Sequence, residues 1–237
     1  MLIHPWDAAR DDAEWQTWLA AHDFGQLAVN GLPGEPPHVQ PLHFAYDAGR
    51  NEVFTHLARP NPLWSALEAN PRVTLSVVDD YTFIPGPWHA PEGAPAEHGT
   101  PTSFYAAVQL LCTAHVIDDE EQKAAVLHRQ LAHFQPAGDY ARVAPGQAPF
   151  GRMLPGIRGI RLEVAEVRAK FKYGGNKPRQ MQQRDAERLA ERAAPHDAAA
   201  RAHQLRRLAA DAAGGIGAAG GIGAADAAGA AGATGGV

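Results

Sequence analysis

Apolar and polar positions change rhythm several times along the chain, and each change predicts an element. Over residues 11–22, Trp15, Trp18 and Leu19 recur at i, i+3 and i+4, the spacing of one helix face, and Asp11 or Asp12 can cap the start. Short apolar runs follow at 26–29, 38–46, 52–57, 72–78 and 81–84, divided by Gly- and Pro-rich turns, and each reads as a strand. DAGRN, residues 47–51, predicts a hairpin connection. Residues 104–117 are a long apolar run, one strand or two. Residues 118–134 predict a helix, and their opening Asp-Asp-Glu-Glu suits the positive end of its dipole. Ile160, Leu162, Val164 and Val167 alternate within a further strand, 159–171, and residues 179–194 and 196–210 predict closing helices. From about Ala209 the chain turns to Gly/Ala low complexity, which buries little and is expected to be flexible. Many short strands, few helices and no run of long βαβ units predict a mainly β, α+β chain closed into a barrel. The expected organisation is a barrel domain over 1–192, a helix over 193–210 and a Gly/Ala tail over 211–237.

Composition narrows the function classes. The 237 residues are 45% hydrophobic, enough for a sizeable core, and a net charge of -5 argues against a general nucleic-acid surface. The single Cys112 excludes an internal disulfide, so a reducing cytoplasm is the default location. In its apolar run Cys112 is expected to be buried and inert. The opening MLIHPWDAARDD has neither a basic stretch nor a long apolar run, so no signal peptide is expected. No window approaches the ~20 apolar residues of a membrane span. Twelve histidines raise a metal reading, but no H-E-x-x-H or Cys/His spacing supports one. His196 and His203 read as solvent-facing on an Ala-rich helix, and Asp79-Asp80 as turn residues. No Ser-His-Asp order or G-x-S-x-G is present. Gly215–Gly220 matches G-x-G-x-x-G, but no strand precedes it and no acidic residue follows in a βαβ unit, so no dinucleotide site is assigned there.

The chemistry concentrates in THLARPNPLW, residues 55–64. A strand end is followed by His56, Arg59 and Asn61, broken by Pro60 and Pro62, and then by a helix expected over 63–69. Asn61 suits an N-cap and Pro62 the first helical position. No Glu or Gln stands three residues after Asn61, so no capping box closes this end and first-turn amides stay free. Free amides, Arg59 as a charge-assisted partner and His56 as a further donor make a candidate anion site. A plain strand-to-helix turn with a surface arginine explains the same ten residues.

The longer stretch EVFTHLARPNPLWSALEANPRVTLSVV, residues 52–78, resembles the flavin-binding split-barrel superfamily of pyridoxamine-phosphate-oxidase-like proteins. It is most similar to the PaiB-type family of FMN-binding negative transcriptional regulators, which typically carries a segment like His-Phe-Ala-Arg-x-Asn-Pro-x-Trp. Further matches follow in order: Pro41-Leu42; Trp88 in FIPGPWH; Pro101-Thr102 before Tyr105; Lys170; Asn176-Lys177-Pro178; and Arg184. Ser103-Phe104 replace the family's usual Trp-Asn, Gln109 stands where a histidine is common, and residues 90–99 form a longer segment. The resemblance covers about 1–192 and implies an FMN-binding split β-barrel that acts as a homodimer. It implies that Arg59, Asn61 and the amides around Leu63 hold the FMN phosphate, with His56, Leu57 and Ala58 at the flavin edge. Leu42 would pack near the ring, and Thr102 and Lys170 would reach in from a partner subunit or a neighbouring strand; Trp64 is a candidate beside the ring, although it and Trp88 read more readily as core or interface anchors than as ring-stackers. DNA as a partner follows from the family name alone, although seven arginines against four acids over 178–210 would suit a phosphate backbone. Two other readings remain open: a flavin-dependent oxidoreductase acting on a small molecule, and a haem-binding split barrel using His38, His43, His89 or His98.

Overall fold

The computed structural model describes residues 1–213. The elements are α1 (Asp12–Ala20), β1 (Phe24–Val29), β2 (His38–His43), β3 (Ala45–Asp47), β4 (Glu52–Ala58), α2 (Trp64–Ala69), β5 (Arg72–Ile84), β6 (Thr102–Ile117), α3 (Glu120–Phe134), β7 (Ile157–Lys172), α4 (Arg179–Arg192) and α5 (Asp197–Ala213). The expected mainly β, α+β barrel is the observed architecture. The Gly215–Gly220 match and the tail beyond Ala213 lie outside the described residues.

One sheet of seven strands carries the fold, in the order β2-β1-β5-β6-β7-β4-β3, with neighbours antiparallel. Its two edge strands, β2 and β3, are consecutive in sequence. The run expected as one strand over 38–46 is therefore two strands joined through Phe44, and that joint closes the sheet on itself. The joint is held from both sides: the Phe44 amide donates to the Asp23 carbonyl at 2.9 Å, and the Thr55 hydroxyl to the His43 carbonyl at 2.8 Å. Phe44 itself is fully buried. Inward positions of the long strands, among them Leu27, Leu75, Val108, Leu110, Ile160, Leu162 and Phe171, fill the interior, with Trp15, Trp18 and Leu19 of α1 against them. The expected hairpin pairs Asp47 with Glu52, and Asn51 supplies the positive φ of 54° that its turn requires.

Where the sequence suggested two strands over 72–84, β5 is continuous, with a bulge between Asp79 and Thr82. Asp80 sits in that bulge at φ 54°, not in an open turn, and its carboxylate is directed inward. It accepts from Trp18 Nε1 at 2.8 Å, while His203 Nε2 lies 2.7 Å and His22 Nε2 3.6 Å away. His203 is therefore buried and tied to Asp80, its ring stacked on Tyr173 at 4.5 Å, and does not face solvent. One carboxylate thus joins α1, β5 and α5. Cys112 is buried as expected, and burial pushes its thiol up to about 12.

Burial alone would raise the Asp80 carboxyl, but the hydrogen bonds from His203, His22 and Trp18 outweigh it and hold the group far below the usual carboxylate range. Burial would lower His22, and its bonds to Asp80 and to the Trp18 carbonyl outweigh that and raise it. Asp80 therefore adds stability that is present above the unfolded-chain value of ~3.9 and lost as pH falls. His22 adds stability that is full below ~6.5 and lost as pH rises through its raised folded value. Urea melts across pH are expected to peak between those limits, with Asp80→Asn flattening both limbs. Unchanged slopes in the variant would remove this cluster as their cause.

Candidate functional site

β4 is covered on both faces. Val53 and Leu57 join the barrel core, while Phe54 and His56 meet α3. α3 starts after Asp119, whose side chain accepts from the Gln122 amide at 2.9 Å, so only Glu120 and Glu121 of the acidic run lie in its first turn. His56 Nδ1 is 2.6 Å from Gln130 Oε1. Burial lowers the His56 pKa and nearby His43 adds to this, against the Gln130 bond, so the ring is neutral at pH 7. His56 thus lies beneath α3, Leu42 and Leu57 are buried within the barrel, and Ala58 is exposed at the strand end.

The chain then turns at Pro60 into α2, which begins at Trp64 and has six residues. Asn61 does not cap a helical amide; its Oδ1 accepts from the Leu63 amide at 3.1 Å, a local turn that sets Pro62 and Leu63 before the helix. Its Nδ2 donates to Gln40 Oε1 of β2 at 3.0 Å, fixing the corner to the opposite edge of the sheet. So short a helix has only a small dipole, and an anion here would depend on discrete donors. Those donors are present: the amides of Trp64, Ser65 and Ala66 find no acceptor among the described residues. Trp64 is core, not a free stacking surface: its Nε1 donates to the Ala58 carbonyl at 3.1 Å, and the Arg158 guanidinium lies 4.9 Å over its ring.

Arg59 is half-exposed but not loose. Its Nε donates to the Pro155 carbonyl at 2.9 Å and one Nη lies 3.3 Å from Asp118. Asp118, outside the helix predicted to contain it, is gripped by Arg158 at 2.8 and 2.5 Å, and that bond lowers its pKa. The corner therefore presents an oriented guanidinium beside unpaired amides, with one carboxylate competing for it.

Thr102 and Lys170 lie elsewhere. Lys170 is eleven residues beyond Gly159, the β7 partner of His56. Both line a cavity of about 370 Å³ with His4, Trp6, Asp7, His89, Lys172 and Lys177 among its walls. The resemblance points to Pro101, Thr102, Lys170, Asn176 and Lys177 of this lining, and the haem reading to His89, but no sequence signal joins His89 to Asp185. Two of the other histidines considered for haem, His43 and His98, are exposed, and His38 lies 3.9 Å from Glu35. The basic C-terminal helices also differ from a solvated face. Arg179, Arg188 and Arg201 donate to backbone carbonyls, Arg192 to Asp197, and Arg206 and Arg207 to Glu14.

A closed seven-stranded sheet with this corner defines a split-barrel flavin-binding fold. The chain belongs to the family described as "Putative FMN-binding domain", which matches residues 1–166, and its cofactor is accordingly a flavin. No curated protein matches it. Its fold is similar to a flavocytochrome from Azotobacter vinelandii (24% identity, 71% of each chain, TM-score 0.55). It is also similar to an FAD and heme binding protein from Mycobacterium smegmatis (18% identity, 71% of this chain and 74% of that, TM-score 0.54). A third similar structure is a putative 5-nitroimidazole antibiotic resistance protein from Bacteroides thetaiotaomicron (14% identity, 69% of this chain and 85% of that, TM-score 0.53). No described helix is long and apolar enough to cross a membrane.

Because Asp118 competes for Arg59, Asp118→Asn is expected to tighten FMN by about 0.2–1 kcal/mol, the scale of an exposed ion pair. Quenching of FMN fluorescence on titration measures it; weaker binding would mean that Asp118 positions Arg59 and does not compete.

Proposed function

We propose that the protein is a homodimeric flavoprotein that holds the FMN phosphate at the β4–α2 corner and uses the flavin for redox chemistry on a small molecule. The observation that carries this is the corner itself: Arg59, fixed by Pro155, followed by amides that have no acceptor among the described residues, in a chain of the family described as "Putative FMN-binding domain". Arg59 holds the phosphate by charge, the amides of Trp64, Ser65 and Ala66 complete its oxygens, and Asn61 fixes the turn. Ala58 and the neighbouring β2 edge lie beside the flavin. When bound, FMN supplies electron and hydride transfer at its ring system.

The homodimer is supported by an exposed apolar area on the outer face of the sheet. Phe24, Val39 and Val78 are 64%, 58% and 61% exposed, an unusual state for large apolar side chains on neighbouring strands. A second copy seated there would bring its own Thr102 and Lys170 towards this corner. DNA binding of the PaiB-type regulators is less well supported, because six of the seven arginines on the C-terminal segment are bonded within the chain, Arg184 being the exception among the described residues.

The test is the absorption spectrum of purified protein titrated with FMN and carried through gel filtration. A retained flavin spectrum at dimer size is expected, and Arg59→Ala is expected to weaken FMN by about 1.5–3 kcal/mol, as for a lost bond to a charged group. Undiminished affinity in the variant would move the phosphate away from this corner, and a Soret band without flavin absorption would replace the reading with haem.

A further inference from the structure

The cavity that holds Thr102 and Lys170 has a built wall. Lys170 is matched: its Nζ donates to the Leu2 carbonyl at 3.0 Å and lies 3.8 Å from Asp7. Among the described residues Lys172 bonds the Thr102 hydroxyl, at 2.9 Å, and lies over the Tyr105 ring. The Lys177 side chain has no polar partner among the described residues. Two ammonium groups therefore face one 370 Å³ space with no carboxylate in ion-pair range among the described residues; Asp7, in the same wall, lies nearest Lys170 and acts on Lys172 at longer range.

His89 stands in the same wall. Its side chain is 1% exposed, and its Nε2 lies 2.9 Å from Asp185 Oδ2, whose side chain is fully buried. With Nε2 directed at a carboxylate, the other ring nitrogen is the one available to a ligand. That atom, Nδ1, is buried and, like Oδ1 of Asp185, has no hydrogen-bond partner among the described residues. An unmet buried polar atom is costly, and it persists most readily where a ligand meets it.

The backbone keeps this wall in place. The turn Gly86–His89 passes so close to the next loop that a Cβ on Gly99 would lie 1.8 Å from the Gly86 carbonyl. Across the cavity a Cβ on Gly175 would lie 2.4 Å from the Trp6 carbonyl. Trp6, stacked on His4 at 4.7 Å, and Phe104 give the space an apolar side.

We infer that this cavity is a second binding site, for a small molecule bearing a phosphate or carboxylate group, whose oxygens are held by Lys172 and Lys177 and hydrogen-bonded by His89 with Asp185 orienting its ring. A ligand oxygen meets Nδ1 either as acceptor from an imidazolium or, when protonated, as donor to the neutral ring. The site does not depend on flavin bound at Arg59.

The experiment is calorimetric titration of the full-length protein, with Trp6 fluorescence as a second readout, using inorganic phosphate in one arm and succinate in the other. Saturable binding of phosphate, of succinate or of both is expected, and the arm that binds names the source of the anion. The Lys172→Met, Lys177→Met double variant is expected to lose at least tenfold in affinity, and His89→Asn to lose affinity as well. Should His89→Asn fail to fold, the double lysine variant decides, because the Lys177 side chain has no polar partner among the described residues and its removal breaks no bond there. Arg59→Ala is expected to keep the anion binding that the double lysine variant loses, even if it no longer holds FMN or a phosphate at its own corner. The inference is overturned if neither anion binds, if the double lysine variant binds unchanged, or if saturation with FMN abolishes anion binding, which would make the cavity part of the flavin site.

Discussion

The joint at Phe44 is the constraint on which the rest of the structure depends. β2 pairs with β1 and β3 with β4, so one residue carries the chain from one edge of the sheet to the other. Closing a sheet removes the unpaired edges that invite association, and here closure is achieved by a buried aromatic and two bonds, from Phe44 to Asp23 and from Thr55 to His43. The corner that carries Arg59 inherits its position from this closure. β4 meets β7 on one side and the closing strand on the other, and Asn61 reaches across the seam to Gln40. A barrel that failed to close would separate those two residues and leave the turn before α2 without its anchor.

The C-terminal helices serve the same end by a different interaction. α5 contributes His203 to Asp80 and Arg207 to Glu14, both in α1's vicinity, and Arg192 of α4 donates to Asp197 and to Thr82 of β5. Arginine is suited to this because its planar fork satisfies several carbonyls or a carboxylate at once. Arg207 bonds the Trp6 and Ala8 carbonyls as well as Glu14, and so also holds the N-terminal segment that roofs the lysine-lined cavity. What composition presents as a basic, solvent-facing helix pair is thus a set of inward ties.

This difference shows what could be read from the sequence and what could not. Periodicity placed the helices and most strands because burial on one face repeats at a fixed interval: Trp15, Trp18 and Leu19 are all core. The split at Phe44 left no such trace, since apolar residues continue through it and only pairing partners distinguish β2 from β3. The bulge at Asp80 was hidden for a related reason: Asp-Asp between strands is ordinary turn composition, and its inward direction depends on Trp18, His22 and His203, remote in sequence. The motif around Arg59 was legible because its residues are contiguous. The wall containing His89 was not, since its members come from the chain start, the segment after β5, β6, β7 and α4, and no local spacing joins them.

The length of β7 links the two candidate sites. Its start lies beside the Arg59 corner, where the Gly156 carbonyl accepts from the Arg59 amide, and its end carries Lys170 and Lys172, roughly 45 Å further along the strand at about 3.3 Å per residue. Thr102 and Lys170 therefore lie apart from the Arg59 corner along the sheet, and the His89 wall is formed within a single chain. A homodimer built on the outer face of the sheet would carry two flavin corners and two anion cavities.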